Sequence, residues 1–218
     1  MRRESSTVVA LVGAADEPLL AGVARSPNVT VVRPPGPDHE PDQLTAAAAA
    51  LAEAARRSSP FVVVPADPLA GMAAQWAAMW DLSAGPQGPA GFEEQAAGVL
   101  AAWRAKRFEL PDYYLVLAPA QPDGRPPDMY LGPLRAARPR RVEVVVRAEG
   151  EQEQLARVRH ALRSLPYGPW WPPLDELVDA ARHFYAGRLA AGAAGTAAGT
   201  AGAAAGAAGA AGGNAAAR

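Results

Sequence analysis

Five short apolar runs, rich in Val, Leu or Tyr, recur along the chain, and stretches with helical periodicity separate most of them. A strand without polar alternation must be covered on both faces, as in a parallel sheet between two layers of helices. The runs are too far apart for hairpins and suitably spaced for crossover helices. We therefore predict an α/β three-layer sandwich on a mostly parallel five-stranded sheet, with the flavodoxin-like strand order 2-1-3-4-5 favoured. The runs are Thr7–Gly13, Asn28–Val32, Phe61–Pro65, Tyr113–Ala118 and Val142–Val146.

Helical periodicity and capping residues predict six helices between and after these runs. The proline- and glycine-rich stretch Ser83–Gly91 predicts a loop, and the pattern does not assign Met129–Leu134 to any element. The predicted helices are Glu17–Arg25, Gln43–Arg57, one that begins after Asp67-Pro68, Phe92–Arg107, Glu149–Leu165, and one that begins at Pro172-Pro173 and ends at Gly187.

Length and composition favour one domain, residues 1–189, followed by a low-complexity tail, residues 190–218. The tail is almost entirely alanine and glycine and offers no apolar face, so we predict that it is disordered. The chain has no cysteine, which excludes disulfides and thiol catalysis. Its net charge of −1 points neither to nucleic acid nor to a membrane surface. We expect a cytoplasmic protein, because the apolar stretch Thr7–Ala15 is short and two acids follow it directly.

Three acidic residues follow predicted strands at the edge where ligands of open parallel sheets bind. Asp16 and Glu17 come after the first strand, and Asp67 comes after the third. Carboxylates at this edge are candidates for holding a small ligand or a divalent cation, or for acid–base catalysis. Asp16 and Asp67 also precede prolines, where each would act as a helix cap. The sequence leaves both interpretations open and assigns no cofactor, because it contains no dinucleotide or phosphate-binding motif.

The segment 167–173, here called the tryptophan loop, has the sequence Tyr-Gly-Pro-Trp-Trp-Pro-Pro. Adjacent tryptophans cannot both face the core in a regular element, so one of them is expected at the surface. Tyr167, Trp170 and Trp171 are therefore candidate contacts for a protein partner or a second copy of the chain. In the alternative, the loop folds over the end of the sheet as a lid on the core.

A basic run precedes the last predicted strand and consists of Arg135, Arg138, Arg140 and Arg141. Arginines of this kind bind phosphates well. The run, however, lies at the amino end of its strand, away from the expected ligand edge, so we interpret it as a solvated loop.

Three segments of the chain resemble conserved actinobacterial proteins that carry no assigned activity. They are Leu110–Leu117, Tyr130–Gly132, and Trp170-Trp171-Pro172 with Leu174-Asp175. The resemblance covers most of residues 7–187 and implies an α/β domain without indicating its chemistry. Since no catalytic motif is present, the favoured hypothesis is a non-catalytic binding or regulatory domain. The alternative is an enzyme or a ligand- or metal-binding protein that uses Asp16, Glu17 and Asp67.

Overall fold

A single sheet of five parallel strands forms the centre of the protein, which confirms the predicted fold class. The computed structural model describes residues 6–13, 15–35, 42–80, 87–119 and 128–191. Every pair of neighbouring strands is parallel, and the spatial order is β2-β3-β1-β4-β5. The strands are β1 (Thr7–Val12), β2 (Val29–Val31), β3 (Phe61–Val64), β4 (Tyr113–Ala118) and β5 (Val142–Val146).

The strand order differs from the favoured order 2-1-3-4-5, because β1 and β3 exchange places. Strand length explains the exchange. β2 has three residues and β3 has four, whereas β1 and β4 have six each. With the two longest strands paired at the centre, strand length decreases stepwise towards the β2 edge. The favoured order would instead place the short β3 between two longer strands, where backbone groups at the ends of those strands would lose their partners.

The helices cover both faces of this sheet. They are α1 (Glu17–Ala24), α2 (Gln43–Ala54), α3 (Ala70–Met79), α4 (Gln87–Arg104), α5 (Arg135–Ala137), α6 (Glu151–Arg163) and α7 (174–191). On one face, α1 and α6 pack against residues such as Val9 and Leu115. On the other face, α2, α3, α4 and α7 pack against alternate strand residues such as Ala10 and Val116. The alternation places most apolar strand residues under one of the two helical layers, whereas Val146 at the end of β5 is exposed.

Several helix boundaries differ from those predicted, and the beginning of α4 and the end of α7 extend beyond the predicted helices. Helix α4 begins at Gln87, inside the predicted loop Ser83–Gly91. Pro89 is tolerated there because the first-turn amides of a helix have no partner within the helix. Helix α7 continues beyond Gly187 to residue 191, since good helix formers follow that glycine. The predicted disordered tail falls almost entirely on residues 192–218, which lie outside the described residues.

The unassigned segment Met129–Leu134 contains a π-helical turn, Tyr130–Leu134, which continues directly into α5. Pro133 explains this geometry. An α-helix would require its N–H as the donor to the carbonyl of Met129, and proline has none. The N–H of Leu134 binds that carbonyl instead, at 3.1 Å, which widens the turn by one residue.

No helix in the described ranges has both the length and the apolar character needed to cross a lipid bilayer.

Gly13 provides a test of the close approach between β1 and β4. It has a φ of +100°, and a Cβ at this position would lie 2.9 Å from the carbonyl oxygen of Leu117. We expect Gly13→Ala to lower the free energy of unfolding by about 2 kcal/mol, because both backbone strain and a clash oppose it. Urea unfolding measures the change.

Gly98→Ala is the matched control. Gly98 lies within α4, and no heavy atom lies within 4 Å of a Cβ built there. Alanine should raise the free energy of unfolding by up to about 1 kcal/mol, since it is the better helix former. Equal destabilisation by both substitutions would contradict the assigned packing of Gly13.

Candidate functional site

Asp67 lies just beyond the carboxyl end of β3, and its carboxylate is bound by two tyrosines. Tyr114 of β4 donates its hydroxyl to Oδ1 at 2.8 Å, and Tyr130 of the π-helical turn donates to Oδ2 at 2.5 Å. Asp67 is 4 % exposed, so the carboxylate is shielded from water. It therefore ties β3, β4 and the π-helical turn together instead of capping α3, whose N-terminus has no side-chain cap.

Burial has a large effect on the protonation of this cluster. It raises the pKa of Asp67 from 3.8 to about 6, and hydrogen bonds from Tyr130, Leu69 and Tyr114 offset only part of that effect. Burial, together with the negative charge of Asp67, also raises the pKa of both tyrosines well above the ordinary value. Both phenols consequently keep their protons and act as donors to the carboxylate.

The other two acids predicted at this edge have different surroundings. Asp16 is exposed and caps α1, accepting the N–H of Leu19 at 3.0 Å, which confirms its interpretation as a cap. Glu17 is exposed and forms an ion pair with Arg33 at 2.5 Å. Thus Asp67 faces the core, whereas Asp16 and Glu17 face solvent. Within the described ranges, no group of three or more His, Cys, Asp or Glu side chains could hold a metal ion.

The two tryptophans of the tryptophan loop face in opposite directions. Trp171 is 6 % exposed, donates its indole N–H to the carbonyl of Pro111 at 2.8 Å, and packs edge-on against Tyr114. Its prediction as a partner contact is therefore wrong, because the ring completes the core. Trp170 is 41 % exposed and Tyr167 is 83 % exposed, so these two candidates remain accessible.

Three arginines hold the backbone of the tryptophan loop. Arg140 donates to the carbonyl of Tyr167 at 3.1 Å, and Arg138 donates to that of Trp170 at 2.7 Å. Arg141 binds the two carbonyls between them, those of Gly168 at 2.7 Å and Pro169 at 2.9 Å. Four consecutive carbonyls thus find donors on one short segment of the chain, and we call Arg138, Arg140 and Arg141 the arginine cluster.

Arg141 is the buried member of the arginine cluster. It is 4 % exposed, and its guanidinium lies 4.8 Å from the ring centre of Tyr113 and 4.9 Å from that of Trp170. It also donates to the carbonyl of Asp112 at 3.2 Å. The interpretation of the basic run as a solvated loop is therefore wrong for Arg141. A guanidinium suits this position because its planar fork reaches several carbonyls while its faces stack on aromatic rings.

The tryptophan loop forms one wall of a cleft of about 950 Å³ at the amino edge of the sheet. The start of β1, Leu51 and Ala52 of α2, and the segment 106–112 between α4 and β4 form the other walls. We call it the amino-edge cleft. Its lining includes the aromatic residues Phe108, Tyr113, Tyr167 and Trp170, the cations Lys106, Arg107 and Arg141, and the acids Glu109 and Asp112.

Helix α4 ends at the rim of this cleft in a Schellman motif. The N–H of Arg107 binds the carbonyl of Ala102 at 3.0 Å, and the N–H of Lys106 binds that of Trp103 at 2.8 Å. Lys106 has a φ of +56°, in the left-handed region where this motif usually carries glycine. A side chain in that conformation costs roughly 1 kcal/mol relative to glycine.

Similarity to other proteins does not assign a function to any of these residues. The chain matches no protein-family model, no curated protein and no solved structure. A function can therefore be inferred only from the contacts, burial and charges of the site residues. These residues form the Asp67 cluster, which consists of Asp67, Tyr114 and Tyr130, and the amino-edge cleft.

The arginine cluster and the amino-edge cleft were missed from the sequence. A signal for the first was present, because the prolines of segment 166–173 rule out regular structure and leave its carbonyls in need of donors. Three arginines within four positions could supply them. The cleft itself carried no such signal, since its walls come from segments separated by up to about 160 residues and meet only in the folded chain.

The pKa of Asp67 predicts how stability changes with pH. The folded protein retains the Asp67 proton up to about pH 6, whereas the unfolded chain releases it near the ordinary value of 3.8. Stability from this group is therefore fully present at low pH and is lost as pH rises through about 6. Two pKa units correspond to about 3 kcal/mol.

We expect Asp67→Asn to abolish this pH dependence, because asparagine does not titrate and can accept from one tyrosine hydroxyl through its oxygen while it donates its amide N–H to the other. Urea unfolding of both proteins between about pH 4 and pH 8 measures the difference. Asp16→Asn is the matched control, since asparagine caps a helix as well as aspartate does. If wild type and Asp67→Asn follow the same pH profile, the buried carboxylate does not titrate as described.

Arg141 provides a test of the arginine cluster. We expect Arg141→Ala to lower the free energy of unfolding by about 3 kcal/mol, because the carbonyls of Gly168 and Pro169 lose charged donors where no other group can replace them. Arg141→Lys should recover less than half of this loss, since an ammonium cannot reproduce the fork.

Arg135→Ala is the control from the same basic run. Arg135 is exposed, so its removal should change the free energy of unfolding by less than about 0.5 kcal/mol. Chemical denaturation at one pH measures all three variants. An Arg141→Ala protein as stable as Arg135→Ala would show that the arginine does not hold the tryptophan loop.

Proposed function

We propose that this protein is a non-catalytic binding protein that takes a small aromatic ligand in the amino-edge cleft. One observation carries the proposal: Tyr167 and Trp170 are exposed at a cleft whose wall is fixed by the arginine cluster. The cleft volume of about 950 Å³ falls within the range of small-molecule sites.

The rigidity of the cleft wall supports binding. Tyrosine and tryptophan offer large contact areas and have few rotatable bonds to order. The backbone beneath them is already held by Arg138, Arg140 and Arg141, so binding does not have to order the tryptophan loop. Pre-ordered sites retain more of their contact energy as affinity.

The enzyme hypothesis has weaker support. The Asp67 carboxylate, whose pKa is near neutrality, meets one requirement of an acid–base catalyst. It is, however, 4 % exposed and accepts hydrogen bonds from the hydroxyls of Tyr114 and Tyr130, so a substrate would have to displace these hydroxyls. Catalysis or metal binding by Asp16, Glu17 and Asp67 remains a prediction, as does a cytoplasmic location.

Contact with a protein partner through Tyr167 and Trp170 is the competing form of binding. The same two aromatic rings that line the cleft would lie under the partner or a second copy. Protein association would bury these rings without requiring a small molecule. When the purified protein is tested alone, a small aromatic compound should therefore raise Tm only if the cleft binds small ligands.

A melting-temperature screen of the full chain tests the proposal. The panel contains neutral, anionic and cationic aromatic compounds, so that it does not presuppose the charge of the ligand. A compound present at about a hundred times its Kd should stabilise the protein by about 2.7 kcal/mol and raise Tm by about 5–10 °C.

The variants Tyr167→Ala and Trp170→Ala locate the binding. Both should lose the rise in Tm, while Leu189→Ala, which removes an exposed apolar side chain that does not line the cleft, should keep it. The proposal fails if no aromatic compound raises Tm. It also fails if the rise persists in both cleft variants, because binding would then occur elsewhere.

A further inference from the structure

Lys106 occupies a backbone position that favours glycine. Its φ of +56° and its place in the Schellman motif at the end of α4 put it in the left-handed region. Glycine is abundant in this chain, with 21 residues, whereas Lys106 is its single lysine. The backbone conformation at position 106 therefore favours glycine over the lysine that occupies it. Backbone strain of this kind is common at functional sites.

The Lys106 side chain lies at the rim of the amino-edge cleft. It lines the cleft together with Arg107 and Arg141, and the acids Glu109 and Asp112 line it as well. Three cations thus stand against two acids. One of these acids, Asp112, already accepts the N–H of Val8 at 2.6 Å. The positive charges outnumber the negative ones, so the cleft favours an anionic ligand.

A purely structural role for Lys106 is the competing explanation. A cation near the C-terminal end of a helix interacts favourably with the exposed carbonyls. Arg104 and Arg107, however, already place two guanidinium groups at the same end of α4. The helix therefore does not depend on Lys106 for this interaction, and a glycine at position 106 would satisfy the Schellman motif with less strain.

We propose that Lys106 is a ligand-binding residue of the amino-edge cleft and that the ligand is an aromatic organic anion. Its ring would contact Tyr167 and Trp170, and its carboxylate, phosphate or sulfonate group would face the ammonium of Lys106. This inference rests on the proposed binding function and adds the charge of the ligand and the residue that recognises it.

Two fluorescent probes with nearly the same rings separate the two parts of this proposal. The anion 1-anilinonaphthalene-8-sulfonate carries a sulfonate, and N-phenyl-1-naphthylamine is its neutral counterpart. Titration of each probe into the full-length protein gives a Kd from the rise in fluorescence. The measurements are made on wild type, Lys106→Gly, Lys106→Arg, Arg104→Ala and Tyr167→Ala, at low and high salt.

We expect Lys106→Gly to weaken binding of the anionic probe about three- to tenfold and to leave binding of the neutral probe unchanged within a factor of two. Lys106→Arg should restore most of the affinity for the anionic probe, because it restores the charge. Tyr167→Ala should weaken both probes. Arg104→Ala, which removes a cation from the same helix end outside the cleft lining, should affect neither probe.

Stability gives an independent readout. Lys106→Gly should raise Tm by about 2–4 °C, because glycine relieves the strain of the left-handed conformation. If Lys106→Gly is more stable than wild type and binds the anionic probe less tightly, Lys106 contributes to binding and lowers the stability of the fold. High salt should weaken the anionic probe in wild type more than in Lys106→Gly.

The outcomes distinguish the inference from the proposed function. If Tyr167→Ala weakens both probes but Lys106→Gly binds the anionic probe as wild type does, the cleft binds aromatic ligands and the role of Lys106 is overturned. If Tyr167→Ala changes neither probe, the amino-edge cleft does not bind them and both proposals fail. Equal loss of both probes in Lys106→Gly would also overturn the inference, since the effect would not involve charge.

Discussion

Both the core and the cleft depend on one constraint, which is that the carbonyl groups of residues 166–170 need hydrogen-bond donors. This stretch of chain belongs to no helix or strand, yet each of its five carbonyls accepts a hydrogen bond from a side chain. Tyr113 binds the first, and the arginine cluster binds the other four. Because these donors come from β4 and from the residues just before β5, the segment is fixed to the amino edge of the sheet. Gly168 permits this close approach, since a Cβ there would lie 2.8 Å from the Cβ of Arg140.

Because the backbone of the tryptophan loop is fixed, its aromatic side chains can point in different directions and have different roles. Trp171 turns inward, packs against Tyr114 and completes the core, while Trp170 and Tyr167 turn towards the amino-edge cleft. Tyr114 also belongs to the buried cluster around Asp67. The contact between the rings of Trp171 and Tyr114 therefore connects the tryptophan loop with the Asp67 cluster. The cleft and the cluster nevertheless lie towards opposite edges of the sheet.

The sequence was sufficient to predict the strands and the class of fold, but not the order of the strands. Apolar runs without alternation identified all five strands to within two residues, because burial on both faces leaves a strong local pattern. The spatial order of the strands depends on which strands match in length and on how the connections between them cross the sheet. Neither property can be read from a single apolar run. The π-helical turn at Tyr130–Leu134 has a local cause in Pro133, but its periodicity matches neither a helix nor a strand.

The residues of the candidate site were predicted less well, for a related reason. Asp67 was identified from its position after β3, but its partners Tyr114 and Tyr130 lie 47 and 63 residues away in the chain. Nothing near Asp67 indicates that two phenols will bury it. Arg141 was assigned to a solvated loop because charged residues are usually exposed, whereas folding surrounds it with two rings and several carbonyls. Long-range contacts of this kind decide what a side chain does.

The arrangement of the tryptophan loop also affects how the protein is completed during translation. All five strands and the arginine cluster leave the ribosome before residues 166–191 do. Until that segment emerges, the core residues that α7 covers and the arginine cluster lack the contacts that residues 166–191 supply. The contacts that fix the wall of the amino-edge cleft can therefore form only after all five strands have been synthesised.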